Sequence, residues 1–279
     1  MQQIILCTSQ EAKTPFIFLN TKVEISTYEE LCYYIYNNTV LISKSALSEK
    51  LFDWIADELG MTDLSQRLYG LINKTTSTPD ILIEILGAGD YYTTDEIKIY
   101  AESWQKYRKL SPLEKAKRKA DGYLNYHRYI KAGTLYDDII EEAEKNEDID
   151  PVFLGNVYHD RAVAAANNLD IREAKECFLK AYERNQNPES MRGYFYVLAV
   201  TEDTATLREE IRTRGLGEDY FDSVMEEIGN SKADVREMVI FAMLQRASYN
   251  KLNKNMTDYD KRMDIILGDL KENFREETI

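Results

Sequence analysis

Few residues in this sequence have the type and spacing that catalysis or metal binding requires. The two histidines, His127 and His159, have no histidine, cysteine or glutamate three or four residues away, as a zinc-binding helix would need. Cys32 lies in an apolar stretch of a predicted helix, which favours a core thiol over a nucleophile. We therefore predict two surface histidines and no catalytic residue, metal or cofactor, and we expect that the chain is not an enzyme.

Two groups of carboxylates could hold a cation or an acid–base pair. The segment 146–150 lacks the central glycine and late glutamate of a calcium loop, and Pro151 interrupts it. Asp137-Asp138 and Glu141-Glu142 are expected on the exterior of a helix. We interpret both groups as solvated acidic surface. The chain also lacks the GxGxxG, P-loop and GxSxG motifs of nucleotide-binding folds and serine hydrolases.

One basic cluster stands out, between residues 106 and 119, where only Glu114 opposes it. Basic residues at the end of a helix interact favourably with its dipole, which is one explanation. The alternative is a docking patch for an acidic partner. This hypothetical patch consists of Lys106, Arg108, Lys109, Lys115, Arg118 and Lys119.

The composition narrows the class of protein. The chain has 279 residues, 44% of them hydrophobic, and 49 acidic against 35 basic side chains give a net charge of -14. It can fill the core of one large or two ordinary domains. Phosphate binding depends on Lys and Arg, so the acidic balance argues against nucleic-acid and anionic-membrane partners. Three separated cysteines, no basic leader and no long apolar run predict a cytoplasmic protein outside the membrane.

Secondary-structure signals change near residue 27. Short apolar runs at Ile4–Cys7, Phe16–Leu19 and Val23–Ile25 predict two or three short strands. After them, the pattern is helical. Capping boxes, in which a hydroxyl and a glutamate satisfy the amides at a helix start, begin at Thr27, Thr93 and Ser111. We count about fourteen helices.

Two windows of the helical region share one spacing of small and aromatic residues. In the window 113–144 the residues are Ala120, Tyr123, Ala132, Tyr136 and Ile139. In the window 155–188 they are Ala162, Ala165, Ala174, Phe178 and Ala181. Small residues let two antiparallel helices approach closely, and the aromatic ring fills the space to the next pair. We predict two α-hairpins, over about 113–145 and 152–186, that stack on one another.

This spacing resembles the tetratricopeptide repeat (TPR), a helix–turn–helix unit of about 34 residues, over residues 113–188. With it, we predict a mostly all-α fold: an array of TPR-like α–α hairpins with a small N-terminal α+β element. The predicted domains are 1–110, mostly helical with strands confined to 1–26, and 111–279, a TPR-like repeat domain with C-terminal capping helices.

The resemblance also implies a binding surface, because such arrays bind an extended peptide along the first helix of each hairpin. Here the inward positions would be Lys117, Asp121, Leu124, Asn156, His159, Asp160, Val163 and Asn167. Some family members grip a C-terminal carboxylate there. Asp121 and Asp160 stand where those members have asparagine, so a basic or mixed peptide is the better match.

The sequence therefore favours a non-enzymatic protein–protein interaction module or adaptor. Its partner would be a protein or peptide whose identity the sequence does not specify. Twenty tyrosines, several of them clustered, are consistent with binding surfaces because tyrosine offers a rigid contact area with a polar tip. Two alternatives remain open: a regulator that responds to a peptide or small ligand, and an enzyme of unrecognised type.

Overall fold

A computed structural model describes residues 10–72, 77–145, 148–237 and 239–278. Within these ranges it contains fourteen α-helices and two strands, so the predicted mostly helical class is confirmed. The predicted strand at Ile4–Cys7 and the first two residues of the acidic loop, Asn146 and Glu147, lie outside the described residues. No helix in the described ranges is long and apolar enough to cross a membrane.

The chain divides into two compact units, of which the first is Met1–Tyr126. Its described elements are β1 (Phe16–Phe18), β2 (Val23–Ile25), α1 (Tyr28–Asn37), a 3-10 turn (Thr39–Leu41), α2 (Glu49–Asp57), α3 (Thr62–Ile72), α4 (Thr78–Leu86), α5 (Thr94–Lys109) and α6 (Pro112–Asn125). The apolar stripes of the helices bury one core together with the inward faces of the two strands.

The hairpin of β1 and β2 packs on α1. The strands pair antiparallel, with Phe16 opposite Ile25 and Phe18 opposite Val23. Phe18 and Ile25 are buried, and the ring of Phe18 stacks on that of Tyr34 with 4.0 Å between centroids. These two strands lie where the sequence predicts them.

Three helices of the first unit begin at the predicted capping boxes. The hydroxyls of Thr27, Thr93 and Ser111 each accept a hydrogen bond from the amide three residues later. In return, the glutamate at that position accepts one from the amide of the capping residue. Backbone donors at the carboxylate lower the pKa of Glu96 and of Glu114 below the usual value.

Along the chain, the first unit ends at Tyr126 and the second begins at His127. This boundary is later than the one predicted from the sequence, which lies at residue 110. Helix α6 belongs to the first unit because it packs on the 3-10 turn. A Cβ atom on Gly122 would lie only 2.9 Å from a methyl carbon of Leu41. The repeat window 113–144 therefore crosses the boundary between the units.

The second compact unit is His127–Ile279. Its described elements are α7 (Tyr129–Ala143), α8 (Pro151–Asn167), α9 (Ile171–Asn185), α10 (Pro188–Thr201), α11 (Thr204–Thr213), α12 (Glu218–Glu237), α13 (Val239–Leu252) and α14 (Met256–Thr278). Each of these helices contacts the next one in the sequence, and α14 also contacts α7.

Helices α8 and α9 form the most extensive contact of the second unit. Ala162 on α8 and Ala174 and Ala181 on α9 are completely buried. Near the start of α8, a Cβ atom on Gly155 would lie 2.6 Å from the Cβ atom of Asn185, the last residue of α9. The start of one helix thus meets the end of the other, so α8 and α9 form an antiparallel hairpin where the sequence predicts one.

Overpacking at Ala174 should destabilise the second unit. The Ala174→Leu change adds three carbon atoms at a completely buried position of α9, so we expect a loss of about 1–3 kcal/mol. Urea unfolding followed by circular dichroism measures it. The matched control is Glu176→Leu on the exposed side of the same helix, which should stay within about ±0.5 kcal/mol. Equal stability of the two variants would contradict the packing of α8 on α9.

Candidate functional site

Five of the predicted binding residues lie on one helix, α8. Asn156, His159, Asp160, Val163 and Asn167 lie at positions i, i+3, i+4, i+7 and i+11, which places them on one face of the helix. Asn156 and Asn167 are exposed, and the other three are partly buried. The buried residues of α8 lie on the opposite face, toward its helix neighbours. We call these five residues the α8 stripe.

Two residues of the α8 stripe also hold the neighbouring helices together. Nδ1 of His159 lies 3.0 Å from Oγ of Ser190 on α10, and its ring meets the ring of Phe178 edge-on. The amide of Asn185 donates to Oδ1 of Asn156 at 3.1 Å and to Oγ of Ser190 at 3.3 Å. We call this set, in which α8, α9 and α10 meet, the three-helix junction.

The two histidines differ in their surroundings. His127 is exposed in a turn with φ of 57°, as predicted, and its Nδ1 lies 2.7 Å from the hydroxyl of Tyr129. His159 is also predicted at the surface, but it is partly buried in the middle of α8, because Ser190 and Phe178 both contact it.

Sequence reasoning missed Asn185 and Ser190, although both belong to the three-helix junction. Ser190 is completely buried in the first turn of α10, where Asn187 caps the helix by accepting from the amide of Glu189. The Asn187-Pro188 pair marks this helix start, but nothing in the local sequence indicates that Ser190 faces His159, 31 residues earlier. The partner of a buried serine is decided by helix packing and not by its neighbours in the chain.

The other three predicted binding residues, Lys117, Asp121 and Leu124, lie on α6 in the first unit. Lys117 and Asp121 form an ion pair there, with 3.0 Å between Nζ and Oδ2, at the i,i+4 spacing typical of a helix surface. The structure therefore divides the predicted binding residues between two compact units.

The predicted basic patch lies entirely in the first unit, on the end of α5 and the start of α6. Five of its members are exposed: Lys106, Arg108, Lys109, Arg118 and Lys119. The sixth, Lys115, is partly buried and donates to the backbone oxygen of Arg108 at 2.9 Å. This bond ties the start of α6 to the end of α5 and uses part of the patch to build the turn.

Acidic residues on α7 are exposed, as expected, but one of them joins two helices. Asp137 accepts a hydrogen bond of 2.6 Å from Nε of Arg161 on α8, whose side chain is largely buried. The same guanidinium lies 3.8 Å from Glu173 on α9. Arg161 therefore connects three successive helices of the second unit.

Neither described cysteine is placed for nucleophilic chemistry. Cys32 and Cys177 are buried, and burial raises the pKa of each thiol to about 12. For Cys177 the carboxylate of Glu173, which accepts a hydrogen bond from Sγ at 3.3 Å, raises the pKa further. Among the described residues, no group of three or more His, Cys, Asp or Glu side chains could hold a metal ion.

Loss of the Ser190 hydroxyl should destabilise the three-helix junction. In Ser190→Ala, His159 and Asn185 lose a shared partner in a buried position, which typically costs about 1–3 kcal/mol. Urea unfolding compares it with Ser248→Ala, a change at an exposed position of α13 that should have little effect. If both variants unfold at the same urea concentration, the junction does not contribute to stability.

The two buried thiols should resist alkylation until the chain unfolds. The thiolate is the reacting species, and a pKa of about 12 leaves almost none of it at pH 8. In a Cys7→Ser variant, iodoacetamide should modify Cys32 and Cys177 only after denaturant is added, as followed by mass spectrometry. Modification of either thiol in the native protein at the rate of a free cysteine would contradict their burial.

Comparisons with known proteins identify no relative of this chain. No protein-family model, no curated protein and no solved structure matches the chain. What bears on function is therefore the α8 stripe, the exposed basic patch and the chemistry of the surfaces around them.

Proposed function

We propose that the chain is a non-enzymatic protein-interaction module, a TPR-like helical-repeat adaptor. In this proposal, the α8 stripe binds an extended segment of a cytoplasmic partner. The observation that carries the proposal is the division of α8 into two faces. Small and apolar residues such as Ala162 and Ala165 pack inward, while the stripe presents amide, carboxylate and imidazole groups on the other side.

The side chains of the stripe suit a peptide backbone. An asparagine amide has two donors and an acceptor oxygen, so it can bond both the N–H and the C=O groups of an extended chain. Asn156 keeps its two donors, because its contact with Asn185 uses only its oxygen. Val163 lies between the polar groups and offers an apolar contact for a peptide side chain.

The charge of the stripe indicates what such a segment would carry. Asp160 is its one ionisable acid, and the chain as a whole has a net charge of -14. A carboxylate in a partly buried position favours a basic residue opposite it and disfavours an acidic one. We therefore propose a basic or mixed peptide as the ligand, in preference to a free C-terminal carboxylate.

The proposal predicts which peptides the protein selects and which variant loses them. Panning a phage-displayed library of random peptides against the full chain should enrich sequences with lysine or arginine. The double variant Asn156→Ala/Asp160→Lys should bind the enriched peptides at least about tenfold more weakly, since two donors are lost and an attractive charge becomes repulsive.

A matched control distinguishes a loss of binding at the α8 stripe from an effect of the changed net charge. Asp138→Lys makes the same charge change at an exposed position of α7, and it should bind the selected peptides as the unchanged protein does. Asn156→Ala removes the acceptor of the hydrogen bond from Asn185 and should cost about 0.5–1.5 kcal/mol, so binding is measured at a temperature where circular dichroism shows all three proteins fully folded. Undiminished binding by the double variant would remove the stripe as the site and direct attention to the basic patch around Arg118 and Lys119.

A further inference from the structure

Four tyrosines from three separate parts of the sequence meet at one cleft of the first unit. Tyr33 and Tyr34 lie on α1, Tyr91 lies between α4 and α5, and Tyr126 follows α6. The cleft has a volume of about 330 Å³, and β2 forms one of its walls. This volume falls at the lower end of the range of about 300–1,000 Å³ that small-ligand sites occupy.

Contacts outside the cleft fix the position of Tyr34, one of its aromatic walls. The ring of Tyr34 stacks on Phe18, and its hydroxyl lies 2.7 Å from the hydroxyl of Thr21. Burial raises the pKa of Tyr34 and of Tyr126, so both phenols stay neutral over the physiological range. Tyr33 is different, since 59% of its surface is exposed at the mouth of the cleft. The cleft thus combines fixed rings with one accessible ring.

Three carboxylates line the same cleft, and none of its lining residues is basic. Glu24 is exposed on β2. Glu30 is held by the amides of Ser26 and Thr27, at 2.6 and 3.2 Å. Glu29 is only 7% exposed. A carboxylate removed from water attracts a cation more strongly than a solvated one does, because the surrounding dielectric is lower.

Rings and carboxylates together select an organic cation over a metal ion. The face of a tyrosine ring attracts an ammonium or guanidinium group by its quadrupole, and carboxylates add hydrogen bonds to the N–H donors. A hard metal ion needs several oxygen ligands converging on one point. In the part of the chain that the structure describes, no such convergence of acidic side chains exists.

We propose that this cleft is a binding site for a guanidinium or alkylammonium group. The cation enters past Tyr33, lies against the rings of Tyr33, Tyr91 and Tyr126, and is neutralised by the surrounding glutamates. The group could belong to a small free amine or to a lysine or arginine side chain of a peptide, since the chemistry of recognition is the same for both. The site is independent of the α8 stripe, which lies in the other compact unit.

Calorimetric titration of the full chain at low salt tests the proposal with N-acetyl-arginine amide as the probe. The matched ligand is N-acetyl-citrulline amide, which has nearly the same shape but no charge. We expect saturable binding of the arginine compound and at least about tenfold weaker binding of the citrulline compound. Equal binding of the two compounds, or no saturable binding of the arginine compound, would overturn the proposal.

A variant locates the site. Glu24→Gln/Tyr33→Ala changes two exposed lining residues, so it should fold normally and bind the arginine probe at least about tenfold more weakly. The control Glu11→Gln/Tyr249→Ala makes the same changes at exposed positions away from the cleft and should bind as the unchanged protein does. Unchanged binding by the first variant would place the cation elsewhere and overturn the assignment.

Two further binding experiments identify the source of the cation and test whether the cleft and the α8 stripe are independent sites. These ligands are compared in the Asn156→Ala/Asp160→Lys variant, in which the α8 stripe should not bind a basic peptide. Tighter binding of an arginine-containing hexapeptide than of the amide would identify a peptide side chain, whereas equal or tighter binding of agmatine would identify a small free amine, and both outcomes support the cleft. Asn156→Ala/Asp160→Lys should retain binding of the arginine probe. Loss of that binding would instead assign the cation to the α8 stripe and overturn the proposal.

Discussion

The second unit depends on how closely α8 approaches α9. Gly155 has no Cβ atom, and in its place any other residue would meet Asn185 at 2.6 Å. This contact sets the position of Asn185, which bonds both Asn156 and Ser190. Ser190 in turn fixes His159. A single close backbone contact therefore determines the arrangement of the polar groups from which the proposed binding face is built.

The helix starts and the strands could be predicted from local sequence signals. The contacts between residues that are distant in the sequence could not. The capping box at Ser111 involves residues three apart, so the sequence alone reveals where α6 begins. Which unit α6 joins depends on Gly122 and Leu41, which no local pattern connects. The same holds for the site: the periodicity of α8 places Asn156, Asp160 and Asn167 on one face, but the partner of His159 is supplied by another helix.

Charge is distributed unevenly between the candidate surfaces. The first unit combines an exposed basic patch with a cleft lined by Glu24, Glu29 and Glu30, in spite of the net charge of -14. Ion pairs such as Lys117–Asp121 neutralise other parts of the surface locally. Both proposed sites would bind positively charged groups, which the negative electrostatic field of the whole chain also attracts. The two sites differ in the side chains that make the contact. The cleft relies on tyrosine rings and three carboxylates, whereas the α8 stripe relies on amides and one carboxylate.

The order in which helices pack in the second unit has a consequence for its synthesis. From α7 to α14 each helix contacts the next, so most contacts join residues that leave the ribosome close together in time. Such a topology has a low contact order, which favours rapid folding, and each hairpin can form as soon as its second helix has emerged. The contact between α14 and α7 is different, since it joins the two ends of the unit. It can form only after all the intervening helices have been made, so it joins the parts of the unit that are synthesised furthest apart in time.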